Sequence, residues 1–255
     1  MISTFMKKCS DQILLLTACI NPGGMSFTAI NNVELRKKQY IDALTFYLQK
    51  TDFPIVFVEN TNTDLSDYFK ADIDSGRLEI LIFDGNKFPS YLGKGYGEAL
   101  IIKHAFTYSG ILQNNKGKSV VKISGRHVVV NINAIVSLVR KLTVANGYVC
   151  SDFNTKTQGS ISDMFLATTD FYQNYFLPSI DLINDSKGVW FEHVLYQAMK
   201  KYSIDGKDVL FLPLPLKQLG QSGSTGEDFA APSVGHYLRN FVKSFLYKVH
   251  ILQLR

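Results

Sequence analysis

The residues able to do chemistry in this chain stand where apolar runs end. Ile13 to Thr17 ends in a hydroxyl, Ile55 to Val58 runs into Glu59 and Asn60, and Ser119 to Ile123 meets Ser124-Gly125-Arg126. Between the second and third runs, Gly93-Lys94-Gly95-Tyr96-Gly97-Glu98 leads into a helical pattern. A guanidinium such as Arg126 gives bidentate, permanently charged hydrogen bonds to phosphate oxygens. Gly93, Gly95 and Gly97 permit close backbone approach and positive φ, and the N-terminus of the helix that follows favours an anion. In open α/β sheets the ligand crevice lies beyond the carboxyl ends of the strands, so Thr17, Glu59 and Asn60 are expected on its rim.

The elements that hold these residues alternate. From Asn32 to Lys50, Tyr40, Ile41, Leu44, Tyr47 and Leu48 fall at helical spacing opposite Arg36, Lys37 and Lys38. Leu78 to Phe83 reads as a strand, and Leu100, Ile101, His104, Ala105 and Tyr108 share one face of the helix after the glycines. His127 to Asn131 is another β-branched stretch. Alternating strands and helices predict a mostly parallel sheet flanked by helices. Gly147 to Ile180, rich in Ser, Thr, Asp and aromatics, reads as an irregular lobe beside that sheet. Trp190 to Lys201 reads as a helix with Glu192 near its start, off the buried stripe.

Bulk properties exclude several classes. With 255 residues, 46% of them hydrophobic, the chain can bury a full core. Cys9, Cys19 and Cys150 have no metal-ligand spacing, and their odd number favours a reducing compartment. Lys7 and Lys8 precede an apolar run ending Leu16-Thr17-Ala18-Cys19, which looks like a lipoprotein cleavage site. That run is shorter than a signal-peptide core, and Asp11 and Gln12 interrupt its approach. A cytoplasmic chain is therefore expected, with an exported lipoprotein beginning at Cys19 as a competing reading. Of the net charge of +5, the stretch His236 to Arg255 carries +4 through Arg239, Lys243, Lys248 and Arg255. The near-neutral remainder gives no support to nucleic-acid binding.

In order and spacing, residues 12 to 202 resemble the GT-A class of nucleotide-sugar-dependent glycosyltransferases, particularly bacterial enzymes of capsular and surface polysaccharide synthesis. Leu14 to Asn21, which contains Thr17 and Ala18, is similar to the first strand and donor loop. Val56 to Asp64 is similar to the second strand, whose acidic end holds the nucleoside. Lys94-Gly95 is similar to a Gly-Lys-Gly loop ahead of the diphosphate-proximal helix. Ile161 to Phe176 resembles the acceptor-side segment, and Gly188 to His193 the stretch that supplies an acidic catalytic residue. The resemblance implies a GT-A-like Rossmann-type fold, with residues 1–131 binding nucleotide-sugar and 132–220 the acceptor. Residues 221–255 form a Gly/Ser loop and a basic tail.

Glycosyl transfer needs a stabilised leaving diphosphate and a base for the acceptor hydroxyl as an oxocarbenium-like carbon forms. Many members of the class hold a metal with Asp-x-Asp at the end of the fourth strand, where this chain has Ser124-Gly125-Arg126. Arg126 is the expected substitute, and no metal ligands are assigned. Asp72-Ile73-Asp74 is an Asp-x-Asp, but it precedes a strand and so points to the wrong end of the sheet. The resemblance puts the base at Glu192, with Asp163 and Asp152 as competitors. Direct attack inverts the anomeric configuration, whereas double displacement retains it. UDP-sugar is the default donor and a lipid-linked glycan the implied acceptor. A non-catalytic nucleotide-sugar or glycan-binding subunit is the alternative.

In the tail, Leu238, Phe241, Val242, Phe245, Val249 and Leu252 lie near helical spacing with Arg239, Lys243 and Lys248 on other faces. That pattern suits a peripheral helix on an anionic membrane surface, or a terminal helix packed on the domain or on a partner subunit.

Overall fold

The computed structural model describes residues 12–23, 29–142, 147–222, 225–249 and Leu254. Lys7, Lys8, Cys9, Asp11 and Leu252 lie outside the described residues.

Seven strands form one sheet: β1 (Gln12–Ala18), β2 (Ile55–Glu59), β3 (Leu78–Ile82), β4 (Ser119–Ser124), β5 (Tyr148–Ser151), β6 (Met164–Thr168) and β7 (Asp208–Phe211). Their order is β7-β5-β6-β4-β1-β2-β3. β6 runs antiparallel to β4 and β5, and the other pairings are parallel. Five helices matter for the site: α1 (Val33–Lys50), α2 (Gly93–Tyr108), α3 (Ile132–Leu142), α4 (Phe191–Ile204) and α5 (Val234–Lys248). The expected mostly parallel α/β sheet flanked by helices is what the chain forms.

Strand periodicity distributes the core between two faces. Ile13, Leu15, Val56, Val58 and Val120 pack with residues of α2 and α4, including Ile101, Ile102, Val194 and Leu195. Leu14, Leu16, Ile55, Phe57 and Val121 pack with residues of α1 and α3, including Leu44, Tyr47, Ile135 and Val136. Asn32 caps α1 by accepting from the Leu35 amide at 2.9 Å. Tyr47 then reaches past the core. Its hydroxyl donates to the His127 carbonyl at 2.8 Å and accepts from the Val129 amide at 2.9 Å, fixing the chain just beyond β4.

Two expectations are corrected here. Gly147 to Ile180 is not a lobe beside the sheet, because it supplies β5 and β6, with β6 inserted between β4 and β5. Between β5 and β6 the chain makes a small hairpin, Phe153–Asn154 with Gly159–Ser160, whose polar turn interrupts the apolar pattern of the strands on either side. The tail is not set apart as a basic arm. α5 packs on β7 through Asn240, Ser244 and Tyr247, and Asn240 Nδ2 donates to the Leu212 carbonyl at 3.1 Å. Its cations face the body: Arg239 pairs with Asp152 at 2.5 Å, Lys243 Nζ lies 4.6 Å from the Phe211 ring centroid, and Lys248 donates to the Leu142 carbonyl. Leu238, Phe241, Val242, Phe245 and Val249 remain exposed on the opposite side. No helix among the described residues is long and apolar enough to cross a membrane.

Cleavage before Cys19 would remove all of β1, a fully buried strand in the middle of the sheet, so the lipoprotein reading conflicts with the fold.

Phe165, in β6, is fully buried and its ring lies 5.4 Å from that of Tyr172. Phe165→Ala is expected to cost about 3–5 kcal/mol in urea unfolding, as for a core aromatic. A loss below ~1 kcal/mol would be the result for a residue outside the sheet core.

Candidate functional site

From β1 the chain moves outward through β2 and β3, then returns to β4 on the other side of β1. Strand order reverses there, and in open α/β sheets such a switch point opens a crevice at the carboxyl ends. A cavity of about 730 Å³ occupies it. Because β6 is antiparallel, the residues that precede it, Ser162 and Asp163, arrive at the same end of the sheet. The cavity lining includes Thr17, Ala18, Asn60, Lys94, Gly95, Gly97, Ser124, Arg126, Asp163 and Glu192, so ten of the residues named from the sequence meet in one place.

Arg126 is 8% exposed, and its Nη1 donates to Gln39 Oε1 at 3.2 Å. A guanidinium has five N–H donors, and no carboxylate pairs with this one among the described residues. Burial pushes the Arg126 pKa down and the nearby Arg36 cation adds to that fall, with Tyr40 and the Asp163 carboxylate opposing. An anion entering the cavity would relieve both effects. Arg36 itself is occupied: Nε donates to the Cys19 carbonyl at 3.0 Å and Nη1 to the Ile30 carbonyl at 3.2 Å, which shapes the chain after β1.

Asn60 is 1% exposed, and its Oδ1 has no hydrogen-bond partner among the described residues. A buried acceptor without a partner costs roughly 1–3 kcal/mol, and a ligand N–H or O–H could meet it once the amide turns its oxygen toward the cavity. On the opposite wall, Glu192 stands in the first turn of α4 and accepts from Ser162 Oγ at 2.6 Å. Asp185 shares this wall, and burial first and the Glu192 charge second raise its pKa, with Lys94 opposing. Trp190 lines the rim with half its surface exposed, its indole stacked on His193 at 5.0 Å between centroids.

Asp163 Oδ1 lies 3.4 Å from Nδ1 of the buried His127. Burial opposes ionisation of Asp163, but the His127 ring and the Lys122 ammonium outweigh it and hold the carboxyl below its ordinary range. Phe229, from the segment after β7, packs edge-on against His127 at 4.9 Å. Residues beyond Gly220 thus close one side of the cavity.

Three expected site residues take other places. Glu59 is fully buried, and its carboxylate accepts from the Ile20, Thr61 and Thr63 amides at 2.9, 2.8 and 2.9 Å. It clasps two loops instead of offering its oxygens to a ligand. Asp152 is outside the cavity lining and paired with Arg239. Gly125 also lies outside it. Its amide donates to the Thr17 carbonyl at 2.8 Å, and a Cβ there would meet that oxygen at 2.8 Å. The glycine segment is likewise different from its expectation, since Gly93 opens α2 instead of preceding it. Gly93 alone of the three has positive φ, +80°, and a Cβ there would run into the Asp185 carboxylate, while a Cβ on Gly95 or Gly97 would press on Phe191 or Phe88 at 2.9 Å. Close packing explains all three glycines.

Glu98, Lys122, His127, Asp185 and Trp190 were not singled out from the sequence. Lys122 had a visible mark, being the one charge in the apolar run Ser119 to Ile123. Among the described residues, no group of three or more His, Cys, Asp or Glu side chains could hold a metal. At the end of β4 the side chains of Ser124 and the cationic Arg126 do not fit a divalent metal, and Asp72 and Asp74 lie in a short helix before β3, away from the cavity.

No protein-family model matches the chain, and no curated protein matches it. Among solved structures it is similar to one assigned as a nucleotide-diphospho-sugar transferase from Desulfovibrio desulfuricans G20, with 12% identity, 80% of each chain covered and a TM-score of 0.46. It is also similar to one assigned as a glucose-1-phosphate thymidylyltransferase from Bacillus anthracis, with 8% identity, 91% of this chain and 94% of that one covered, and a TM-score of 0.47.

Two outcomes follow from this geometry. Glu59→Gln puts an amide N–H₂ against backbone donors and should cost about 1–3 kcal/mol in urea unfolding; an unchanged midpoint would contradict the loop-clasp role. Because the Asp163 pKa is lowered on folding, the stability it contributes is full above the ordinary aspartate value of ~3.9 and is lost as pH falls through the lowered folded value. Asp163→Asn should therefore flatten the acid limb of a Tm-against-pH curve, and an unaltered limb would show that the His127 contact contributes nothing.

Proposed function

We propose that the chain is a nucleotide-sugar-dependent glycosyltransferase whose donor diphosphate lies against Arg126 and the N-terminus of α2. One observation carries this reading: a buried guanidinium with unused donors faces the same switch-point cavity as an uncapped helix start and a hydrogen-bonded carboxylate. α2 has no side-chain cap hydrogen bond at its N-terminus, so its first amides suit an anion, which there would lie beside the Asp185 carboxyl that stands against Gly93.

In this account the nucleoside sits over Thr17, Ala18 and Asn60, where an imide N–H of uracil or thymine would satisfy Asn60 Oδ1. Glu192 takes the proton of the acceptor hydroxyl, the hydroxyl oxygen attacks the anomeric carbon, and the bond from that carbon to the phosphate oxygen breaks. The leaving diphosphate gains charge beside Arg126 and Lys94, which is where preorganised cations lower the barrier. Direct attack of this kind inverts the anomeric configuration. Trp190 offers an apolar ring face to an acceptor sugar. The exposed apolar stripe of α5 supports an acceptor carried on lipid, with the chain peripheral on a cytoplasmic membrane face and a surface glycan as the product.

A thermal-shift panel of UDP-, GDP-, CMP- and dTDP-sugars, each with Mn²⁺ and with EDTA, tests the donor site. Stabilisation by a uridine or thymidine donor that survives EDTA is the expected result. Arg126→Ala should weaken that donor roughly 10- to 100-fold, the worth of a charged hydrogen bond. Glu192→Gln should abolish transfer and leave donor affinity intact, and normal turnover by this variant would remove Glu192 as the base. Loss of all donor stabilisation in EDTA would contradict the role given to Arg126.

A further inference from the structure

Resting on the donor reading above, we infer that Glu98 is the residue that reads the donor's sugar, with Lys122 positioning it, and that the sugar is a neutral hexose and not a sugar acid. Glu98 Oε1 is occupied: it accepts from Thr17 Oγ1 at 2.9 Å, from Lys122 Nζ at 2.5 Å and from Ser124 Oγ at 3.2 Å. Oε2 has no hydrogen-bond partner among the described residues, and the side chain, 22% exposed, lines the cavity. One oxygen is therefore locked to the sheet and the other is presented to the ligand.

Lys122 is what makes this arrangement unusual. It lies on a central strand with 0% of its side chain exposed, and its ammonium also donates to the Ser162 carbonyl at 2.5 Å. A buried ion pair gives little net stability over an apolar replacement of similar volume, so stability does not account for the pair. Orientation does. Two hydroxyls, one ammonium and the sheet fix the Glu98 carboxylate to a single direction.

Its position identifies what it faces. A continuous polar path crosses the cavity floor from Thr17, at the nucleoside end, through Glu98 and Lys122 to Ser162, whose hydroxyl bonds Glu192. In glycosyl transfer the base abuts the acceptor hydroxyl, and that hydroxyl abuts the anomeric carbon. The sugar must then lie between nucleotide and base, above Glu98. A carboxylate oxygen accepts short, charge-assisted bonds from sugar hydroxyls and repels a sugar carboxylate.

Calorimetric titration of the full chain with UDP, UDP-glucose, UDP-galactose and UDP-glucuronate, and with GDP and GDP-mannose, tests this. In the wild type a nucleotide-hexose is expected to bind more tightly than its nucleoside diphosphate, and UDP-glucuronate more weakly than either UDP-hexose. Glu98→Gln should leave nucleoside diphosphate affinity within about twofold and weaken the nucleotide-hexose roughly 10- to 100-fold. Because that variant leaves Lys122 buried without a counter-charge, the double variant Glu98→Gln/Lys122→Met, which removes both charges, is measured beside it and should show the same selective loss. Full retention of the hexose advantage in either folded variant, or an equal loss for nucleoside diphosphate and nucleotide-hexose, overturns the assignment. If the wild type binds none of these nucleotides, the donor reading itself fails, and this inference falls with it.

Discussion

A lysine ammonium buried in the middle of a sheet needs a counter-charge, and that need organises the ligand end of this fold. Lys122 projects from β4 on the same face as Val120, toward α2. Glu98, one turn into α2, meets it at 2.5 Å. For that contact to form, the first turn of α2 must lie over the carboxyl ends of β1 and β4. Thr17 and Ser124 then complete the shell around Glu98 Oε1, and the uncapped amides of α2 are left at the mouth of the cavity. One charge pair thus couples the helix to the switch point.

Two further constraints give the cavity its walls. The Gly125 amide bonds the Thr17 carbonyl so closely that no larger residue fits, which turns the chain sharply after β4 and carries Arg126 toward α1, where Gln39 meets it. Tyr47 holds the next residues from below. On the other side, the reversed direction of β6 brings Ser162 and Asp163 to the ligand end, so Glu192 is anchored by a residue that a purely parallel sheet would have sent away. Arg126 on one wall and Glu192 on the other follow from these backbone facts.

Much of this was legible in the sequence. Apolar runs ending in polar residues located β1, β2 and β4 and part of the cavity's lining, because strand ends and ligand crevices are linked by topology. Lys122, Glu98 and His127 escaped because their roles depend on which strand lies beside which, and adjacency is not written in any local period. The strands within Gly147 to Ile180 escaped because β5 and β6 are short and stand either side of a polar hairpin, with no helix between them to mark the α/β alternation that revealed β2 and β3. Glu59 was found at its strand end but given the wrong partners: a carboxylate at a loop start binds ligand hydroxyls and backbone amides with equal chemical ease. In α5 the apolar spacing was read correctly as a helix, yet its buried side is the polar one, and composition gives no direction for a helix to face.

We propose that a diphosphate binds between Arg126 and the start of α2. A crystal structure of the protein with a nucleoside diphosphate bound, prepared in EDTA, tests it most directly. Phosphate oxygens are expected within hydrogen-bonding distance of the Arg126 guanidinium and of first-turn amides of α2. A diphosphate bound elsewhere, with Arg126 still facing an empty cavity, would contradict it.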